Sequence, residues 1–305
     1  MGTSWSALLV LPRGMDVGAL RRGIEEVLAD IVAQMSPWEP DSHLSRFNRG
    51  GAGTWFQLPE RMLKVLSAAL EWAERTGGAY DPTIGASVNL WGFGPVRPNH
   101  TVPDAHAIAT ARARTDWSRV KIEGGRALQT GGVQLDLCAI AKGFAVDEVA
   151  TFLLRAGVTN FLVEIGGELR GEGVKPDGSP WWVEFEAPRA ALALPVTIPE
   201  TLIALSGASV ATSGDEQRCF ESGGRRYGHT LDPRTGAPLD HDLISVTVVD
   251  PSCMTADVLA TALLVLGPKM GPDFASAHRL AARFVAFDGR YLAETLSPAL
   301  KAMLD

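Results

Sequence analysis

The chain has 305 residues, 46% of them hydrophobic and 21% charged, with a net charge of −7. That balance fills a large globular core without a disulfide framework. An acidic chain with no Lys/Arg cluster argues against a nucleic-acid partner.

Ser4 to Leu11 predicts a strand. Asp16 is placed to N-cap a helix reaching about Met35, with Ile24, Val27, Leu28, Ile31 and Met35 on one stripe. Residues 36–53 read as a polar loop, in which Arg46 and Asn48 are groups able to orient a ligand. Pro59 to Thr76 predicts a second amphipathic helix, stopped by Gly77-Gly78. Residues 79–100, AYDPTIGASVNLWGFGPVRPNH, show no clear period. A loop of that length inside a compact domain is functional or disordered, and Tyr80, Trp91 and Phe93 argue against disorder. A short helix is expected after Pro103, with short strands near Val120–Glu123 and Gln134–Leu137.

LDLCAIAKGFAVD, Leu135 to Asp147, reads as a buried strand that turns at Cys138-Ala139 into a helix ending at Gly157. Phe161 to Ile165 predicts a buried strand leading into Gly166-Gly167, which marks a tight turn or a close approach to a ligand. GGELRGEG is not G-x-G-x-x-G and opens no helix, so a Rossmann-type fold is disfavoured. Strands follow at Trp181–Glu186, Leu202–Ser206 and Ser209–Thr212. TSGDEQRCF, Thr212 to Phe220, reads as a turn with a capped helix start. A hairpin closed by Gly223-Gly224, the strand Ile244–Val249, a helix Thr255–Leu266, a short helix near Asp273–His278 and a hairpin turning at Asp288-Gly289 complete the chain. Strands with hairpins and interspersed helices indicate an α+β class, in one large domain with room for two lobes.

Three cysteines, none in a C-x-x-C pair, argue against a disulfide scaffold or zinc site. Cys138, in an apolar run, reads as a small core residue. No apolar run reaches the roughly 18 residues of a membrane span. The N-terminal run Ala7–Leu11 lacks a basic flank and is short for a signal peptide. The expectation is a cytoplasmic chain with no transmembrane segment as it stands, extracytoplasmic if a leader precedes Met1.

Two stretches carry the chemistry. In the first, Lys142 and Gly143 open a helix, and a helix N-terminus with a lysine attracts anions. Asp136, between Leu135 and Leu137, points away from both leucines in a strand and so toward a polar cleft. In the second, MTADVLATALLVLG, Asp257 and Thr261 stand one turn apart on one helix face. A carboxylate and a hydroxyl so placed suit a hard cation that keeps several waters. A solvated lysine, a helix-dipole aspartate and a threonine bonding back to its own helix are the simpler separate readings; only the pair on one face favours the cation. His229, before the Asp232-Pro233 turn, is either structural or a general base.

The ordered set PDSHLSRFN, GAYDPTIG, LWGFG, LDLCAIAKGFAVD, GGELRGEG, VATSGD, HTLDPRTG and TADVLATAL spans nearly the whole chain. In that order it resembles the ApbE family of bacterial FAD:protein FMN transferases. The resemblance implies an α+β fold of mixed or antiparallel sheets with packed helices, related to the T-fold, with an FAD cleft between two lobes. It implies Mg2+-assisted transfer of FMN from FAD to a Ser or Thr hydroxyl of an acceptor flavoprotein, releasing AMP. By motif position, Met1, Trp38, Asn48, Asp136, Lys142 and Thr230 would line the FAD site, with Trp91, Gly92 and Phe93 covering the flavin. Ala139 would offer a backbone carbonyl to the metal, with Asp257 and Thr261 as side-chain ligands and His229 as the base. The sequence departs from the family pattern at Trp38, where Tyr is usual, at Cys138, and at Glu168, where Asp follows the Gly-Gly pair more often. Hydrolysis of FAD by water and non-enzymatic FAD binding remain open. The segment SGAS, Ser206 to Ser209, resembles the tail of the family's acceptor signature but reads as strand and turn.

Overall fold

The computed structural model describes residues 3–95, 101–185, 201–214, 218–287 and 290–304. Met1, Asp215 and the Asp288-Gly289 turn lie outside these residues. The chain forms two compact units. The first comprises Asp30–Ala141 and Asp215–Asp240 with Met1; the second comprises Gly2–Ala29, Lys142–Gly214 and His241–Asp305. Two helices, α1 (Val17–Met35) and α6 (Cys138–Arg155), carry the chain from one unit into the other.

The second unit is built on a seven-stranded antiparallel sheet. Its strands are β1 (Trp5–Leu9), β5 (Phe161–Ile165), β6 (Glu168–Glu172), β9 (Ala208–Gly214), β14 (Leu243–Asp250), β15 (Ala281–Phe287) and β16 (Leu292–Leu296), hydrogen-bonded in that order. Gly166 and Gly167, at φ +62° and +97°, close the β5–β6 hairpin, so the turn reading of that pair holds. Gly207 at φ +73° likewise joins β8 (Leu202–Leu205) to β9, and Ser209 is fully buried. This is the strand–turn form expected of SGAS. β7 (Trp181–Glu184) pairs with β8, and Trp181, Phe185, Ile203, Leu205, Val210, Val249, Ala281 and Leu300 form one core. A short helix, α8 (Pro298–Leu304), follows the sheet; its seven residues, of which Leu300 is buried, are too few for a period to show in the sequence.

Against β9 and β14 packs α7 (Cys253–Ala277), which joins the two expected helices into one kinked element. The kink is at Gly267, φ +79°, followed by Pro268. Proline has no N–H, so the Leu264 carbonyl one turn earlier loses its helical partner. His241 Nε2 stands 3.1 Å from that oxygen and fills the place. By length and composition α7 is apolar enough to cross a membrane, and 61% of the qualifying stretch is buried inside the protein. That apolarity is what a core helix covering a sheet requires.

The first unit holds a three-stranded sheet ordered β2 (Thr54–Gln57), β4 (Arg126–Gln129), β3 (Lys121–Glu123) and the helices α3 (Glu60–Arg75) and α5 (Ala105–Arg112). Gly77 and Gly78 end α3 at φ +61° and +78°, and Asp104 caps α5 by accepting from the Ala107 N–H at 2.8 Å. Two loops expected to be irregular contain short helices: α2 (His43–Asn48), capped by Ser42, and α4 (Gly85–Leu90). A hairpin of β10 (Cys219–Ser222) and β11 (Arg225–Gly228) and the short pair β12 (Leu231–Asp232) and β13 (Ala237–Pro238) complete the unit. Thr212–Gly214 continue β9 and Cys219 opens β10, so neither described end of TSGDEQRCF starts a helix.

Gln134–Leu137 is not a strand; only an isolated bridge joins Gln134 to Ile84. Its backbone groups are satisfied elsewhere. Asn48 clamps Leu135, donating to its carbonyl at 2.9 Å and accepting from its N–H at 2.7 Å. The Asp136 N–H goes to the Pro82 carbonyl at 2.7 Å, and the Gln134 carbonyl accepts from Gly85 at 2.9 Å.

Candidate active site

In the second unit the second turn of α6 meets the start of α7 at Gly143. A Cβ at Gly143 would lie 2.2 Å from the Cys253 carbonyl oxygen and 2.8 Å from the Asp257 Cβ. Only glycine admits that approach. It lets the Gly143 N–H donate to Asp257 Oδ2 at 2.9 Å, in a site where Asp257 is 2% exposed. Asp257 Oδ1 lies 3.7 Å from Lys142 Nζ, which also donates to Glu168 Oε1. Glu168 opens β6, is buried, and its Oε2 has no hydrogen-bond partner among the described residues.

Two buried carboxyls therefore face one ammonium. Burial pushes Glu168 up to about 8, against the pull of Lys142. Burial also pushes Asp257 up, opposed by Lys142 and by the Gly143 N–H. Burial pulls Lys142 down, but Asp257 and Glu168 more than offset it and hold the ammonium above its ordinary value. Both carboxyls are pushed up because one positive charge does not balance two desolvated carboxylates. A cation would relieve the same imbalance.

One turn beyond Asp257, Thr261 Oγ1 exchanges a hydrogen bond with Ser213 Oγ at 2.8 Å rather than bonding back to its own helix. Asp257 and, one turn later, Thr261 offer only oxygen donors, and Glu168 Oε2 is a further oxygen beside Lys142, unpartnered among the described residues. Such oxygens fit a hard cation such as Mg2+, which takes few protein ligands and keeps waters and substrate phosphates as the rest. Among the described residues no three His, Cys, Asp or Glu form a preformed cage.

The first unit holds an aromatic cluster of its own. Trp91 is buried and its indole N–H donates to the Gly236 carbonyl at 2.8 Å. Phe220 and Tyr227 sit directly opposite across β10 and β11 and stack with ring centroids 5.3 Å apart. Trp91 lies 5.5 Å from Tyr227, and Phe93 lies 5.8 Å from Phe220. Gly92, at φ +83°, makes the bend between the two called aromatics. The His229 ring meets Phe93 edge-on at 6.3 Å, and Thr230 beside it is buried. His229 lies on the bend between β11 and β12 rather than within a strand.

Trp38 is 42% exposed. Asn48 is committed to the Leu135 backbone. Asp136 does alternate with the buried Leu135 and Leu137, and its Oδ1 accepts from the Cys138 N–H at 2.8 Å at the start of α6. Ala139 is non-helical, at φ −90° and ψ 17°, within that first turn. Cys138 is exposed, not a core residue: it is the first residue of a helix whose buried face begins at Ile140.

Phe220, Tyr227, Ser213 and the ligand-like placement of Glu168 were not read from sequence. Phe220 and Tyr227 were findable, because a two-residue glycine turn puts them in register. Glu168 was visible only as a departure from a pattern.

A model of the ApbE family matches residues 1–284. The FAD:protein FMN transferase of Vibrio cholerae serotype O1 is 37% identical over 306 residues, covering 100% of this chain and 90% of the relative. That of Haemophilus influenzae is 38% identical over 264 residues, covering 85% of this chain and 75% of the relative. The solved structure of the flavin transferase ApbE from Vibrio cholerae superposes with a TM-score of 0.92 at 36% identity, covering 100% of this chain and 96% of that one.

Proposed function

This chain belongs to the ApbE family, and we propose that it uses Mg2+ to transfer FMN from FAD to a Ser or Thr hydroxyl of an acceptor flavoprotein, with release of AMP. The coarser activity, moving FMN from FAD onto a protein, is the one its curated relatives are named for. The observation that most supports the finer reading is the buried Glu168–Lys142–Asp257 constellation beside the Gly143 N–H. It joins surplus carboxylate charge, which a divalent cation would offset, to a lysine ammonium suited to a pyrophosphate.

In this reading the acceptor oxygen forms a bond to the FMN phosphorus, the pyrophosphate bond breaks, and AMP leaves with the bridging oxygen. His229 takes the acceptor's hydroxyl proton as the oxygen attacks. Lys142 and the positive end of the α6 dipole offset charge on the phosphates. Trp91, Gly92 and Phe93, with Phe220 and Tyr227, offer an apolar, stackable surface to the isoalloxazine ring. Trp38, Asn48, Asp136 and Thr230 are assigned to FAD, and Asp257 and Thr261 to the metal. When bound, Mg2+ neutralises phosphate oxygens along the transfer.

The test is product analysis with FAD and Mg2+, with and without an acceptor domain. The proposal expects acceptor carrying one FMN per modified hydroxyl, and AMP in equal amount. Free FMN with unmodified acceptor would make the protein a pyrophosphatase. FAD left intact would make it a flavin-binding protein.

A further inference from the structure

One carboxylate beside the proposed metal residues has no part in the transfer chemistry and yet holds more bonds than any of them. Asp147 lies one helical turn beyond Gly143 on α6, on the same face. Its Oδ1 accepts from Arg170 Nη1 at 2.7 Å and from the Cys253 N–H at 3.1 Å. Its Oδ2 accepts from Ser252 Oγ at 2.9 Å and from the Met254 N–H at 3.0 Å. The carboxylate is therefore saturated by four donors. Two of these are amides that open α7 and have no partner within the helix.

Arg170 is itself held, its Nη2 donating to Glu172 Oε1 at 2.8 Å. A negative charge at a helix N-terminus is favoured by the helix dipole. Here it comes from a different helix, so the capping bond doubles as a clamp between α6 and α7. The same face of α6 presents Gly143 to the same turn of α7, where the amide reaches Asp257 with no slack: the missing Cβ would already overlap Cys253. Asp257 lies one turn after the residues that Asp147 holds. The clamp thus fixes both the height and the rotation at which α7 offers Asp257 and Thr261.

We propose that Asp147 is a positioning residue: through the amides of Cys253 and Met254 it sets the geometry of Asp257 and Thr261 toward a divalent cation. This inference rests on the assignment of those two side chains to Mg2+. Outer partners that orient metal-binding side chains cost about 10–100-fold in metal affinity when lost.

The experiment is a titration of the purified full chain with Mg2+ alone, followed by calorimetry and by the Mg2+-dependent rise in melting temperature. Asp147→Asn keeps the shape but turns an amide group toward N–H donors. It is expected to raise the Mg2+ midpoint about tenfold, with FAD binding changed less than twofold. Ser297→Ala is the stability control. Ser297 Oγ caps α8 by accepting from the Leu300 N–H at 3.2 Å, also accepts from the Ala282 N–H at 2.9 Å, and donates to the Leu280 carbonyl at 2.7 Å. It is expected to lower the melting temperature without moving the Mg2+ midpoint. If Asp147→Asn does not fold, Arg170→Gln, which removes one of the four donors, carries the test with an expected shift of about threefold, below that range. An unchanged Mg2+ midpoint in the folded Asp147 or Arg170 variant, or an equal shift in Ser297→Ala, overturns the inference. A wild-type chain that binds no Mg2+ overturns the metal assignment instead, and the two failures are told apart by that single curve.

Discussion

Asp257 and Glu168 show how burial, rather than residue type, sets the chemistry of a side chain. Asp257 makes its hydrogen bond to a backbone amide that only glycine can bring so close. Asp257→Ala is expected to lower Mg2+-dependent transfer by more than the ~100-fold that loss of an outer partner costs, with the circular dichroism of the folded protein retained. Retained Mg2+-dependent turnover would remove Asp257 from the metal. His229→Ala is expected to slow transfer about 100-fold or more while the FAD dissociation constant, read by flavin fluorescence, moves little; unchanged turnover would deny it the role of base. Glu168 gives a pH prediction. Its folded value of about 8 stands above its ordinary value of 4.5, so the folded protein holds this proton where the unfolded chain has released it. The stability it contributes is complete below about 4.5 and is lost as pH rises through about 8. Denaturant melts of the metal-free protein between pH 5 and 9 should show that decline, and Glu168→Gln should flatten it. An identical slope in the variant would contradict the assignment.

Elements succeed or fail in sequence according to how many of their signals are local. Each of α1, α3 and α5 carries a local signal in the sequence: Gly77-Gly78 stops α3, Pro103 precedes α5, and Asp16 caps α1, its Oδ1 accepting from the Gly18 and Ala19 amides at 2.8 and 3.1 Å. α2 and α4 are only six residues long, too short for a period to show. Gln134–Leu137 has the alternation of a strand, but its partners are Asn48 and a loop, and nothing in a linear pattern reveals them. The same holds for the site: Asp257 and Thr261 were legible as a pair on one face, whereas Glu168 and Asp147 owe their placement to β6 and to the first turn of α7. The contact of α6 with α7 supplies its own prediction. Gly143→Ala forces a methyl group against the Cys253 carbonyl, a backbone atom that cannot swing aside. It should cost about 1–3 kcal/mol in a thermal melt and weaken Mg2+ binding together with stability. A variant as stable as the parent would mean that the helices are free to separate. The kink of α7 is a second case. His241→Ala leaves the Leu264 carbonyl without its partner and should destabilise the protein by about 1–3 kcal/mol; no loss would show that the carbonyl finds another donor.

At the scale of the whole molecule, the two units divide the called residues by chemistry. The first carries the aromatic cluster, His229, Thr230, Asp136 and Asn48; the second carries Lys142, Glu168, Asp257 and Thr261. The family match spans residues of both sets. The direct measurement is intact mass of an acceptor flavoprotein domain after incubation with this protein, FAD and Mg2+, with the small-molecule products read in parallel. The account predicts an acceptor heavier by one FMN in phosphoester linkage to Ser or Thr, AMP in equal yield, and no reaction when Mg2+ is chelated. An acceptor of unchanged mass, with FAD either intact or split to free FMN, would contradict it.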